Sequence, residues 1–303
     1  MSASPDYLEY SAKPLRSESG KAISPAYRFC TKILYDTLLL PYGLLRHRRL
    51  LKKAQRVNDH TYTCFLRAPA QLGLLTGPIL DFIRPEGRLN ILLFACSNGA
   101  ETYTIASALR QAHPDLDFHI HASDLHQSMI ERAQAAQYSR DEVLHSIYMT
   151  EEFLENTFIV QGDGYVVRPE LREYVSFSQA NLLDGETLRA RFSQSPLVLA
   201  QNVLFHLTAQ DTARAFDNLV SLMAPHGALL VEGMQLDLRV ELTTKHGLSP
   251  FTEDLRQIYE ETRVHTPPHW WRAYWGTEPY LFFRKNRTRR YATAFKRGDK
   301  VSQ

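Results

Sequence analysis

The stretch RLNILLFACSNGAET, residues 88–102, decides the fold. Asn90 to Ala95 form the short apolar run of a strand covered on both faces, as in a parallel sheet. The small-residue turn CSNGAET with Gly99 follows, then a helical stretch, YTIASALRQAHP (103–114). A second strand, FHIHASD (118–124), ends on Asp124. Downstream, YVSFSQANLL (174–183), PLVLAQNVLF (196–205) and GALLVEGM (227–234) read as strands, with helices predicted over Gln127 to Gln137 and Thr208 to Met223. Strands alternating with helices imply an α/β fold built on a doubly wound, mostly parallel sheet.

The alternation stops between Tyr138 and Leu171, where EEFLENTFIVQGDGYVVRPEL predicts a small helix and a hairpin turning at Gly162–Gly164. This marks an inserted hairpin subdomain over 138–172. Residues 1–24, rich in Ser, Pro, Lys and Glu, are expected to be a flexible tail. Tyr27 to Val57 reads as a helical hairpin interrupted at Pro41 and Gly43. Its second limb, LLRHRRLLKKAQR (44–56), carries Arg46, Arg48, Arg49, Lys52, Lys53 and Arg56, either a solvated face or a stripe able to meet an anionic partner. A helical N-terminal segment or lid is therefore expected over 25–87, a central domain over 88–286, and a solvated polar tail over 287–303.

The chain has 303 residues, 44% of them hydrophobic, which is enough for a sizeable core. Its 35 basic and 33 acidic side chains nearly cancel, so it lacks the overall charge of a nucleic-acid binder, and no nucleic-acid partner is expected. Cys30, Cys64 and Cys96 form no CxxC pair and accompany no His cluster, which predicts no metal site and a reducing compartment. No secretory pattern opens the sequence and no apolar run approaches the ~20 residues that span a bilayer. A cytoplasmic protein is expected.

A strand, a tight turn and a helix point several backbone N–H groups at a ligand near the helix N-terminus. The turn lacks the three-glycine dinucleotide fingerprint, whereas Asp124, twenty-five residues after Gly99, stands where an acid accepts from both hydroxyls of a nucleoside ribose. A turn with a structural acid at the strand end is the plainer alternative.

An ordered set of motifs resembles the CheR-type methyltransferases, which methylate glutamate. The family pattern Asn-x-Thr-x-Phe-Phe-Arg is similar to TYTCFLR here, with Thr63 and Arg67 kept and Thr61 in place of asparagine. AGCSTGEEPYS is similar to FACSNGAETYT, which keeps Cys96, Gly99, Glu101 and Tyr103, and SDID to SDLH, which keeps Asp124. AQAAQY ending at Tyr138, then EEFL, GYVV and VSFSQANLL, follow in the family's order. The resemblance covers about Thr61 to Glu232. It implies the class I methyltransferase fold and S-adenosyl-L-methionine as cofactor, bound by Thr61, Thr63, Arg67, Cys96, Asn98, Gly99, Glu101, Asp124, Leu125, Asn181, Leu182, Gln201 and Asn202. Arg67 would pair with the methionine carboxylate, Glu101 with its ammonium, Asp124 with the ribose diol, and Asn181 and Leu182 with adenine.

The sequence departs from the family at AQNVLFHL (200–207), where the pattern has CRNVLIYF: Gln201 replaces an arginine and His206 a tyrosine. A neutral amide removes an attraction for an anionic acceptor such as glutamate, and NVLFHL resembles the VLHHL motif of small-molecule methyltransferases. The expected reaction is methyl transfer to a small or carrier-held metabolite, with His206 and Tyr62 as catalytic residues. Three alternatives stand beside it: cyclisation of the cofactor to azetidine-2-carboxylate or transfer of its aminocarboxypropyl chain, protein-glutamate O-methylation in chemotaxis, and a non-catalytic nucleoside-binding module. The late stretch TPPHWWRAYWGTEPYLFFRK (266–285) concentrates the tryptophans; Trp270, Tyr274 and Trp275 are expected either to wall the acceptor site by cation–π contact or to pack in two antiparallel strands. The sequence leaves the oligomeric state open.

Overall fold

The computed structural model describes residue 30 and residues 33–53, 63–263, 270–272 and 278–297. The chain divides into two compact units, one of residues 1–55 with 262–282, the other of 56–261 with 283–303.

The larger unit is built on ten strands: β1 Leu89–Phe94, β2 Phe118–Asp124, β3 Gln137–Ser139, β4 Phe158–Gln161, β5 Gly164–Val167, β6 Val175–Gln179, β7 Ser195–Gln201, β8 Met223–Glu232, β9 Leu248–Pro250 and β10 Ala294–Arg297. Seven of them form one sheet in the order β6-β2-β1-β7-β8-β10-β9. β6, β2, β1, β7 and β8 are mutually parallel, and β10 runs antiparallel to both its neighbours. Strand order reverses between β1 and β7, so the C-terminal ends of these two strands open a crevice of the kind in which doubly wound folds bind ligands.

Alternation along the strands separates two cores. Ile91, Leu93, Ile120, Leu197, Leu199 and Leu230 face one side, covered by Leu74, Leu75, Ile79, Ile105 and Leu109. Leu92, Phe94, Val198, Ala200, Leu229 and Val231 face the other, covered by Leu188, Phe216, Leu219 and Leu242. The first core corrects a boundary: residues 63–87, expected to belong with the N-terminal helical segment, lie in the larger unit because their leucines and isoleucines roof the sheet.

The insert forms a second sheet in the order β3-β5-β4, one strand more than the expected hairpin. Its core joins Phe153, Phe158, Val167 and Tyr138 to Phe65 and Tyr103. A Cβ on Gly164 would lie 2.7 Å from the Tyr138 carbonyl oxygen, so the β3–β5 approach needs glycine.

One further expectation is corrected. The polar tail from Arg287 instead carries the helix Arg287–Tyr291 and strand β10, with Tyr291, Ala294 and Phe295 buried. Its charged residues hide a four-residue strand that is stabilised by pairing with β8 and β9. Of the tryptophan stretch, Trp270–Arg272 is a single 3-10 turn, while residues 266–269 and 273–277 lie outside the described residues.

In the smaller unit, Leu40–Lys53 is one helix, which Pro41 and Gly43 do not break. Proline is tolerated in a first helical turn because its missing N–H would have no intrahelical partner there. Gly43 serves packing, since a Cβ there would lie 2.7 Å from the Trp271 ring and 2.8 Å from the Trp270 ring.

Candidate functional site

At the end of β1 the chain reverses through three left-handed residues in five, Ala95 (φ 60), Ser97 (φ 49) and Gly99 (φ 88). Two of these are not glycine, and such backbone costs about 1 kcal/mol or more apiece unless the surroundings hold it. Several contacts hold it. Cys96 N donates to Ser123 O at 3.0 Å and Gly99 N to Cys96 O at 3.0 Å. Asn98 Oδ1 accepts from Ala100 N at 3.2 Å, while Tyr138, from the insert, donates through its hydroxyl to Asn98 O at 2.7 Å. A Cβ on Gly99 would meet Ala133 Cβ at 2.9 Å. The burial of Cys96 beside Asp124 and Glu101 raises its thiol pKa far above the usual range, so it stays protonated and packs.

Asp124, 7% exposed at the end of β2, accepts from Ser97 N at 2.8 Å and from His126 N at 2.9 Å. Each oxygen keeps a lone pair for another donor, as a ribose diol requires. The plainer role foreseen for this acid, tying down the turn, is present in the structure. Asn181 and Leu182 follow β6 next to it, because Ala180 N donates to Asp124 O at 2.9 Å. Asn181 is exposed and Leu182 buried, with Leu182 O accepting from Asn218 Nδ2 at 2.8 Å. Leu125 is 44% exposed.

The other end of the crevice is made of side chains. Gln201, closing β7, donates from Nε2 to Glu101 Oε1 at 2.7 Å. Burial pushes the Glu101 carboxyl up to about 7; Arg67 and the Gln201 hydrogen bond pull it down, and Glu232 pushes it further up. Arg67 reaches this place because Phe65 is anchored in the insert core, 4.9 Å centroid to centroid from Tyr138 and 5.0 Å from Phe158. Leu66, at φ 44, is pinned by Ser146 Oγ donating to its carbonyl oxygen at 2.9 Å. Thr63, Arg67, Gln71, Glu101, Thr104, Gln201 and Asn202 line a common cleft with Leu72, Leu75, Ile105 and Leu230.

The structure thus brings Thr63, Arg67, Glu101, Gln201 and Asn202 together, with Cys96, Asn98, Gly99 and Asp124 around the turn beside them. His206 is half-buried on the 3-10 turn Leu204–His206 that follows Asn202, its ring 4.2 Å from that of Phe205. Thr61, Tyr62, Tyr274 and Trp275 lie outside the described residues. Trp270 is buried within the smaller unit, its ring centroid 5.5 Å from that of His47. Sequence reasoning missed two participants. Tyr138 closes the insert against the turn, and Glu232, 7% exposed, ends β8 as Asp124 ends β2. The strand-end acid rule that selected Asp124 was the available signal for Glu232.

The model of the family described as CheR methyltransferase, SAM binding domain, matches residues 61–244. A chemotaxis protein methyltransferase of Listeria innocua is 26% identical over 150 residues, 50% of this chain and 55% of that protein. The "Probable biofilm formation methyltransferase WspC" of Pseudomonas aeruginosa is 27% identical over 206 residues, 66% of this chain and 46% of that protein. A chemotaxis protein methyltransferase of Pseudomonas putida is 29% identical over 162 residues, covering 50% and 57%. The chain spans about half the length of the curated relatives it matches. No helix among the described residues is long and apolar enough to cross a membrane.

Proposed function

Since the chain belongs to the CheR methyltransferase family and carries its S-adenosylmethionine-binding domain at residues 61–244, we propose that it transfers the methyl group of this cofactor to a small or carrier-held acceptor without negative charge. The bound cofactor supplies a methyl group on a positively charged sulfur, open to in-line attack. The donor set suits it. Glu101 and Arg67 are opposite charges able to match an ammonium and a carboxylate, and Asp124 has free acceptor capacity for a diol.

One observation carries the choice of acceptor. Gln201 stands where the family pattern has arginine, and its amide N–H is committed to Glu101 at 2.7 Å. It gives a carboxylate acceptor no positive charge at this position, and the neighbouring Glu101 and Glu232 are themselves acidic. An amine or phenol acceptor needs a proton removed, and we assign that role to His206. His206→Asn should then retain cofactor binding while slowing turnover by ~10²–10⁴-fold. Wild-type turnover by this variant across the imidazole titration range would remove histidine from the mechanism.

The printed names of the relatives favour a second reading, methylation of a chemotaxis protein. Methyl-labelled cofactor separates the two: label appearing on receptor glutamates overturns the uncharged-acceptor reading. Incubation with cofactor alone tests the cyclisation alternative, which would release methylthioadenosine.

A further inference from the structure

The basic stretch that methyl transfer leaves unused lies on the helix Leu40–Lys53, which the π-helical turn Leu34–Leu38 precedes. Tyr42, Leu45 and Arg49 fall at i, i+3 and i+7, and Leu38 stands one turn earlier, so the four share one face. Leu38 is 77% exposed, Tyr42 52% and Leu45 50%, and Arg46 and Arg49 are exposed beside them. The opposite face is already used. Gly43 is buried against the rings of Trp270 and Trp271, and His47, one turn on, has its ring centroid 5.5 Å from that of Trp270. Single exposed leucines are ordinary, but an apolar row along one helix face marks an interaction surface.

Charge selects the partner. The helix carries Arg46, Arg48, Arg49, Lys52 and Lys53 and no acidic residue. The acid that precedes it, Asp36, faces Arg263 at 3.8 Å with both side chains largely buried, so it does not neutralise the row. Arg46 stands over the Tyr42 ring, 6.0 Å from its centroid, which keeps a cation next to the aromatic surface. A polyanion such as nucleic acid would pair the cations and leave Leu38 and Leu45 in water. An anionic bilayer takes both at once: its headgroups meet the guanidinium groups, and the acyl boundary beneath accepts the leucines. A convex helix needs no groove for this and lies in the interface without crossing the bilayer.

We propose that Leu38, Tyr42, Leu45, Arg46 and Arg49 form a docking surface for an anionic membrane, with the helix lying in the plane of the headgroups. None of these residues lines the cofactor cleft, so the proposal stands apart from the reading of the reaction.

Cosedimentation of the whole chain with vesicles tests it, comparing equal parts phosphatidylcholine and phosphatidylserine with phosphatidylcholine alone. The protein should partition to the mixed vesicles at least about tenfold more strongly, and the excess should vanish at high salt as the headgroup charge is screened. Arg46→Glu with Arg49→Glu should remove the excess. Leu38→Ser with Leu45→Ser should weaken binding to the mixed vesicles about tenfold or more while the salt response remains. Both double variants change exposed side chains, so melting temperature and tryptophan emission should match wild type. If a variant does not fold, the lipid and salt dependence of the wild-type protein still decides. Equal partitioning of the wild-type protein to both vesicles, or undiminished binding by both double variants, overturns the proposal. So does the absence of vesicle binding, whether the row then pairs with polyglutamate, as an acidic protein partner requires, or with a second copy in a dimer that Leu38→Ser with Leu45→Ser abolishes.

Discussion

The two ends of the crevice are built from different materials. At the β2 end, Asp124 is gripped by backbone N–H groups at 2.8 and 2.9 Å, supplied by residues close to it in the sheet. At the β7–β8 end, Arg67, Glu101, Gln201 and Glu232 come from four separate segments, joined by the hydrogen bond from Gln201 to Glu101 and by the influence of their charges on one another. A backbone cradle survives most substitutions because its donors are not side chains. A side-chain cluster depends on every member, since losing one leaves a buried charge uncompensated. The difference predicts where the site is fragile.

The largest effect is expected at Arg67. Arg67→Ala leaves Glu101 without the cation that favours its charged form, takes from Glu232 one of its two, Arg239 remaining, and removes the partner assigned to the cofactor carboxylate. Breaking such a pair costs about 3–5 kcal/mol, so S-adenosylmethionine affinity should fall by roughly 10²–10³-fold in calorimetric titration. Arg67→Lys should recover only part of it, because an ammonium cannot reproduce the guanidinium fork. Affinity of the Ala variant within threefold of wild type would place the amino-acid end of the cofactor elsewhere and dissolve the contrast between the two ends.

The same contrast explains what the sequence could tell. Where the candidate site is local, its geometry was legible. Residues 94–104 carry strand end, turn and helix start in one run, and Asp124 falls at the end of an alternating strand, so the β1–β2 end followed from spacing alone. Arg67, Gln201 and Asn202 entered through family resemblance, because no local period joins residues more than a hundred positions apart. Strand β10 stayed hidden for a physical reason: Ala294–Arg297 contains only two apolar residues, and its place between β8 and β9 is a tertiary event. Strand β9 ends on Pro250, which reads as a strand breaker, yet its backbone pairs with β10.

A smaller effect is expected at Asp124. Asp124→Asn leaves one carbonyl oxygen where the carboxylate served both Ser97 N and His126 N, and it weakens any hydrogen bond to the ribose. A charge-assisted hydrogen bond is worth about 1.5–3 kcal/mol, so affinity should fall by about 10- to 100-fold, with the melting temperature lowered slightly as one turn contact is lost. Adenosine should lose affinity by a similar factor, because it carries the ribose but not the amino-acid end. Under Arg67→Ala, adenosine binding should hardly change. A pattern in which both variants weaken both ligands equally would show that the two ends are one coupled unit.

The smallest effect, and the most direct measure of the side-chain end, is the response to pH. Burial holds Glu101 protonated up to about 7, yet pairing with a cofactor ammonium requires the carboxylate. Binding below that value must therefore release a proton, and affinity should be about tenfold weaker at pH 6 than at pH 8. Glu101→Gln should bind weakly and lose this dependence. Stability of the cofactor-free protein should run the opposite way. Because the folded pKa lies above the value of 4.5 for an unperturbed glutamate, this group's contribution is fully present below 4.5 and is lost as pH rises through about 7. Melting of the apo protein should accordingly drop between pH 5.5 and 8. Saturating cofactor should remove that drop, since an ammonium against Glu101 stabilises the charged form. An apo melting temperature that rises over the same interval, attributable to Glu101 by its absence in Glu101→Gln, would mean that this carboxylate is already compensated, and the distinction between a titrating end and a fixed end of the crevice would fail.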